Sequence, residues 1–361
     1  MTQSKITHIE TANPALKSSQ KKVLANIQKK NHFSGRELVF YKRFLTDQSI
    51  QSRYFGLETL DQAYSETPDE ANKRFEQVGT QLGAEAVRKV LDTSGLDKTD
   101  IDGLIVTTCT GYLCPGLTSY VSEAVGMKDD LFTLDITGTG CGAAIPALRS
   151  ADQYLQTHTN KNIIVLCVEV CSAAIAWGTE IDLILSNAIF GDGAAACLMT
   201  NKEEVSGYEI ENFESLLWPQ FRDDLRFKQK ESRLCNVISK NVPKVASEAV
   251  KTLMDKVGNE EEPFQHYAIH PGGRRILDEI EARLSLAPEK LKHSREVLKE
   301  YGNMSSPSVL FVLKNIIAED QPKENEPIVL FAFGAGFTAF AATAKYKVAN
   351  KEPVECLSLR G

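Results

Sequence analysis

Apolar runs of strand length alternate along the chain with stretches whose apolar positions recur at helical spacing. The runs 103–108 (GLIVTT), 131–136 (LFTLDI) and 162–169 (NIIVLCVE) read as buried strands, and 194–200 as another. Between and before them, 80–93 and 142–157 carry helix-period apolar positions. The second half uses the same grammar. There 242–257 reads as a helix, 264–270 as a strand and 304–317 as a helix, while 327–333 and 338–346 read as a closing hairpin. Alternation of this kind predicts a layered α/β architecture. The least regular stretch, 212–231 (NFESLLWPQFRDDLRFKQKE), reads as a loop or short hairpin.

The two halves are not alike residue by residue, but their element order is. That order predicts an internal duplication with a boundary near 200–210, giving an N-terminal half, 1–205, and a C-terminal half, 206–361. With 42 % hydrophobic and 25 % charged residues, the composition is that of an ordered globular protein and excludes intrinsic disorder. The net charge of −7 offers nothing to a nucleic acid, which calls for a basic excess. Residues 1–20 are polar and lack the apolar core of a secretory signal. No run approaches the roughly 18 apolar residues that span a bilayer. A soluble, cytoplasmic protein without membrane insertion is expected.

The eight cysteines are 109, 114, 141, 167, 171, 197, 235 and 356, too sparse for a disulfide scaffold. Only Cys109/Cys114 and Cys167/Cys171 approach zinc-ligand spacing, and both pairs sit in or beside apolar runs, so no metal site is expected. Cys141 differs from the rest. In DITGTGCGAAIP (135–146) a strand ends, glycines allow a turn, and Cys141 falls at the start of the next helix. Partial positive charge at a helix start favours thiolate over thiol, and Gly140 and Gly142 would let a substrate approach the backbone. A buried structural cysteine at a strand–helix junction fits the local pattern too. His270 ends its strand and leads into Pro271-Gly272-Gly273, at a sheet mouth where α/β folds bind ligands. His266 shares its face, one step deeper. Asn303, between Gly302 and Met304, suits a helix N-cap. Taken together, a cysteine, a histidine and an amide are the parts of thioester chemistry: nucleophile, base and N–H donors for an enolate oxygen.

Five segments in register carry a resemblance. TGTGCGAA (137–144), FGDGAAA (190–196), HPGGRRIL (270–277), YGNMSSPSVLF (301–311) and FAFGAGFT (331–338) resemble the type III polyketide synthases, the chalcone- and stilbene-synthase-like enzymes of the thiolase fold. The similarity runs from 7–14 (THIETANP) to the final strand, and TCTG (108–111) with EVCS (169–172) is closer to bacterial members. The resemblance implies a homodimer with a five-layer αβαβα core and a Cys-His-Asn triad at Cys141, His270 and Asn303. It makes Phe190 one gatekeeping phenylalanine and Phe227 the other, after a shorter loop than in plant enzymes. It places Cys109, Thr110, Cys171, Ala174 and Ser305 on the substrate pocket, whose floor these small side chains would leave open; for Cys171 and Ala174 plain packing is the competing reading. Arg43 matches a cation that meets coenzyme A phosphates, whereas Asp47 stands where a lysine is expected. Ala335 replaces the proline of the Gly-Phe-Gly-Pro-Gly loop.

The implied chemistry is transfer of a starter acyl group from its CoA to Cys141, then decarboxylative condensation with malonyl-CoA and cyclisation to an aromatic or pyrone. Both thioesters are substrates, and no cofactor or metal is called for. An initiating ketoacyl-acyl-carrier-protein synthase shares the same residue types and is the nearest alternative. A non-catalytic partner subunit of the same fold is the other.

Overall fold

The computed structural model describes residues 3–30, 33, 35–230, 232–258 and 261–349; Cys356 and Glu231 lie outside them. In chain order the strands are β1 (Lys5–Ala12), β2 (Leu16–Ser19), β3 (Ser52–Phe55), β4 (Gly103–Thr107), β5 (Phe132–Ile136), β6 (Asn162–Glu169) and β7 (Gly193–Thr200). There follow β8 (Gly207–Leu217), β9 (Leu225–Lys230), β10 (Arg233–Ile238), β11 (His266–Ile269), β12 (Pro327–Gly334) and β13 (Thr338–Lys347). The helices are α1 (Gln20–Lys29), α2 (Gly35–Leu45), α3 (Gln62–Ser65), α4 (Pro68–Ser94), α5 (Leu117–Val125) and α6 (Ala144–Thr157). The second set is α7 (Ile181–Ile189), α8 (Val242–Val257), α9 (Arg274–Leu284), α10 (Lys292–Tyr301) and α11 (Ser308–Asn315).

Nine strands join in the order β11-β12-β13-β8-β1-β7-β6-β4-β5. Within the N-terminal group, β4 runs parallel to β5 and β6, while β6–β7 and β7–β1 are antiparallel. Within the C-terminal group, β11 is parallel to β12, and β12–β13 and β13–β8 are antiparallel. The groups meet edge to edge at Lys5↔Glu209 and Ile6↔Tyr208. Three apolar clusters then define five layers. One unites α4 and α5 with the outer face of β4, β6 and β7. The central cluster sets α6 and α11 between β6/β7 and β12/β13. A third covers the far face of β12 and β13 with α8 and α9. This is the expected αβαβα stack. Strands buried on both faces must be apolar at successive positions, which is why β6 and β7 read as unbroken runs rather than alternations.

Several boundaries differ from the sequence reading, each for a local reason. The helix read as 80–93 is the second half of α4, whose first turns set the apolar Ala71, Phe75 and Val78 among charged and polar residues; a Thr67–Glu70 capping box and Pro68 start it. The helix read from 304 begins only at Ser308, because Ser305 takes a left-handed φ of 61°. It closes in a π-helical turn, Ile316–Asp320. The strand read as 264–270 is paired only at His266–Ile269. The stretch 212–231 is more ordered than expected: it holds the end of β8, which pairs with β13, and β9, which forms a hairpin with β10. β8 is half-exposed along that part, so it shows no buried run. The seven described cysteines are free. Among the described residues no helix is long and apolar enough to cross a membrane.

Candidate active site

After β5 the chain turns through Gly138 and Gly140, with φ of 88° and 59°, into a single 3-10 turn that carries Cys141 just ahead of α6. Of the flanking glycines, Gly140 lines the cavity while Gly142 is packed against the protein. A Cβ on Gly142 would sit 3.0 Å from the Phe340 ring, and one on Gly334 would sit 2.2 Å from the Thr139 carbonyl oxygen. The turn bearing Cys141 is therefore pressed against the end of β12. Ala335, where the family has proline, lines the same contact and the cavity beyond it.

Burial decides the electrostatics. It pushes the Cys141 thiol up to about 12, with the Ser305 hydroxyl opposing and the Glu169 charge adding to the rise. It pushes His270 down to about 3. Desolvation therefore works against the thiolate expected from the helix start and against an imidazolium at His270. His270 is 1 % exposed; its backbone N–H donates to the Phe331 carbonyl at 2.8 Å, and its ring meets Phe333 edge-on at 5.2 Å. Its Nδ1 has no hydrogen-bond partner. His266 is not one step deeper on the way to the site: it opens β11 at the other end, against Asp320 and Glu326.

Asn303 is not an N-cap, since Pro307 flanks α11. Its Nδ2 donates to the Gly272 carbonyl at 3.1 Å, which ties it to the turn after His270. Its Oδ1 accepts the Ser305 N–H at 2.8 Å, and its backbone bridges to Phe190. The Ser305 hydroxyl in turn meets the Cys109 sulfur at 3.1 Å.

One cavity is lined by Cys141, Cys109, Thr110, Cys171, Ala174, Phe190, Phe227 and Ser305, all of which the sequence reading had placed at the pocket. It is narrow, with about 40 Å³ open to the centres of water-sized spheres. The small side chains do leave space, but Phe55, Ile175 and Leu225 close in from other elements. Phe227 and Leu225 come from β9 and Asn236 from β10, so the β9–β10 hairpin forms one wall. His270 and Asn303 are not among the lining residues; Asn303 reaches the wall through Ser305, and His270 packs on Phe333 behind it. Arg43 stands exposed on the last turn of α2, away from the lining, and Asp47 pairs with Arg274 at 3.1 Å.

Two residues here escaped the sequence reading. Arg53 on β3 is 1 % exposed and lines the cavity, donating to Gln20 and to the Asn187 and Phe190 carbonyls. Glu169 ends β6 with no exposure at all. Its Oε2 accepts from the Cys109 and Thr110 N–H groups and the Thr108 and Thr110 hydroxyls, and its Oε1 from Ser306 at 2.6 Å. A charged residue closing an apolar strand was the available signal for Glu169. Arg53, in QSRYFG, gave none.

Residues 9–266 match the family described as FAE1/type III polyketide synthase-like protein, and 211–344 match the C-terminal domain of chalcone and stilbene synthases. The chain belongs to the type III polyketide synthases. Members of this acyltransferase family condense malonyl-CoA units. Among curated relatives, the chain is 27 % identical to the 3,5-dihydroxyphenylacetyl-CoA synthase of Streptomyces toyocaensis, over 83 % of this chain and 81 % of that protein. It is 26 % identical to the 1,3,6,8-tetrahydroxynaphthalene synthase of Streptomyces coelicolor, over 90 % and 87 %. For the phloroglucinol synthase of Pseudomonas fluorescens the identity is 26 %, over 87 % and 91 %. The crystal structure of the Streptomyces coelicolor enzyme superposes with a TM-score of 0.88 at 24 % identity, covering 96 % of this chain and all (100 %) of that one. That likeness bears on the fold.

In this type III polyketide synthase, Glu169 is the testable support of the cavity wall. Glu169→Leu strips the acceptor from several buried donors, each worth about 1–3 kcal/mol when left unpaired, and should lower the urea midpoint sharply. Glu169→Gln keeps one oxygen towards Cys109 and Thr110 and should retain most of the stability. Equal midpoints for the two variants would remove the role.

Proposed function

We propose that Cys141 is the acylated nucleophile of this synthase, with His270 and Asn303 as its base and its oxyanion donors. What supports the reading is that Cys141 lines the cavity together with Ser305, whose N–H is held by Asn303 Oδ1, while Asn303 Nδ2 reaches the turn after His270. In the first step His270 takes the Cys141 proton, the sulfur attacks the starter thioester carbon, and the CoA thiolate leaves with that proton. His270 is then neutral again, which suits a group whose pKa burial holds down. Malonyl-CoA next loses carbon dioxide, and negative charge develops on its thioester oxygen. An imidazole N–H and the second Nδ2 hydrogen of Asn303 stabilise that oxygen; the first is held by the Gly272 carbonyl. Donors already in place typically contribute about 10²–10³ each in rate. The carbanion attacks the acyl carbon on Cys141, the Cys141 thiolate leaves, and the chain, two carbons longer and now borne by the CoA of the malonyl unit, can return to Cys141 for another round.

Phe190 and Phe227 gate the entrance from opposite elements, and Arg43 meets the coenzyme A phosphates from α2. The narrow cavity suits a compact polyhydroxylated aromatic product, the kind that the names of the bacterial relatives describe. The halves 1–205 and 206–361 descend from a duplication, and the enzyme works in the cytoplasm.

Purified protein given malonyl-CoA, without carrier protein, should release such a product and carry acyl mass on Cys141. Label on Cys109 or Cys171 with Cys141 clean would sink the assignment. The burial-raised thiol needs His270 as proton acceptor to react at neutral pH. His270→Ala should therefore slow iodoacetamide inactivation near pH 7, with the rate recovering only as pH rises towards the value of the isolated buried thiol, about 12. Superimposable pH profiles for parent and variant would rule His270 out as base.

The partner is a second copy of this chain, seated on β5. That strand is the outer edge of the sheet, exposed along its middle, with Leu134 and Tyr112 open beside it at 36 % and 78 %. An uncovered edge with apolar neighbours is a template for another strand. Leu134→Asp should convert the dimer to monomer in light scattering after size exclusion. An unchanged mass for the variant would move the interface elsewhere.

A further inference from the structure

The end of β11 opposite the candidate active site carries a second polar centre. β11 separates His266 from His270 by four residues, roughly 13 Å of strand. Around its outer end stand His293 and Glu296 from α10, and Glu319 and Asp320 from the π-helical turn. Single π-helical turns within helices recur at functional sites.

His293 is the unusual member. Its side chain is 4 % exposed, yet its Nδ1 has no hydrogen-bond partner. Glu296 Oε2 and Glu319 Oε2 each lie 3.9 Å from that nitrogen, beyond hydrogen-bond range. The other ring nitrogen, Nε2, lies 3.1 Å from Asp320 Oδ1 but is not aligned for a hydrogen bond. Asp320 is also held by Lys292 at 2.5 Å and by His266 at 3.4 Å, while His266 reaches Glu326 with its second nitrogen at 3.3 Å. The local cations are thus placed on Asp320 and Glu326. Glu296 and Glu319 converge on a buried imidazole nitrogen without a cation between them. Among the described residues this is the group of three whose ligand atoms, one from each side chain, all lie within 4.8 Å of one another.

We propose that His293 Nδ1, Glu296 and Glu319 hold a divalent transition cation, best matched by Zn²⁺, with Asp320 orienting the imidazole from behind. One imidazole and two carboxylates suit zinc, with water as the fourth ligand, and a carboxylate on the far ring nitrogen is the usual support of a metal-bound histidine. Tetrahedral bonds of about 2.1 Å set ligand atoms about 3.4 Å apart. The two histidine–glutamate separations of 3.9 Å need to shrink by about 0.5 Å and the three atoms, now within 4.8 Å of one another, must draw together, which the glutamates, 52 % and 55 % exposed, are free to do. His293 and Glu296 sit at helical i, i+3 spacing on one face of α10. The cation would fasten the start of α10 to the end of α11. The chain between those helices, 302–307, carries Asn303 and Ser305. The role is structural: it holds the ends of the helical pair that presents that loop.

The test uses the intact protein, stripped with EDTA and desalted, then titrated with Zn²⁺ by calorimetry and with Co²⁺ by absorption. One equivalent per chain should bind, raise the melting temperature and give a Co²⁺ spectrum without the thiolate charge-transfer band that the cysteines would produce. Glu296→Gln with Glu319→Gln, at half-exposed positions, should fold, keep turning over malonyl-CoA, and bind Zn²⁺ at least about tenfold more weakly, a loss of about 1.4 kcal/mol. Absence of stoichiometric binding overturns the proposal. So does a thiolate band that persists unchanged in the double variant, which would place the metal on cysteine.

Discussion

A carboxylate with no exposure to water must find its donors inside the protein, and Glu169 finds them in both halves of the chain. It closes β6, gathers the 108–110 turn on one oxygen and takes Ser306 on the other. Because Ser306 adjoins Ser305, and Ser305 Oγ meets Cys109, the geometry of the cavity wall follows from satisfying this one charge. Asp192 repeats the device nearby. It is fully buried and accepts from the Gly56 N–H at 2.5 Å and the Ser172 N–H at 2.7 Å, which ties the end of β3 to the turn after β6. Losing either set of bonds would leave donors stranded in a low dielectric, so the loops they hold have few alternative positions.

The same enclosure governs reactivity. A site dry enough to raise Cys141 and lower His270 disfavours a resting ion pair, but it strengthens any donor already aimed at developing charge. In the mechanism we propose, the imidazole of His270 and the amide of Asn303 gain from that exchange. Holding Asn303 on the Gly272 carbonyl and the Ser305 N–H keeps it from reorienting as charge appears, which is where preorganised donors have their advantage. Close packing supplies the rest: the turn bearing Cys141 is seated against β12 with no room for a side chain on Gly142 or Gly334.

The central layer shows how this packing was encoded. α11 is apolar around most of its surface because it lies between two sheets, and β6 and β7 are apolar at successive positions because each is covered on both faces. Such segments announce themselves in a sequence. The first turns of α4 and the outer part of β8 do not, since their exposed faces mix charges with apolar residues and lose the period.

Local chemistry therefore determined a good deal without any coordinates: the alternating α/β grammar, the glycine-framed cysteine, the histidine at a strand end, the asparagine in its Gly-Asn-Met turn, and the pocket positions by resemblance. These are properties of short segments, where spacing and turn-forming residues act within a few positions. Tertiary structure alone decided the electrostatic state of Cys141 and His270, because desolvation depends on what covers a group rather than on its neighbours in sequence. It alone disclosed Arg53 and Glu169, whose partners lie far along the chain. It narrowed the cavity with Phe55, Ile175 and Leu225, and it brought His293 against Glu319 across two helices. A charge buried among distant partners leaves no periodic trace, so only the assembled layers reveal where it is held and by what.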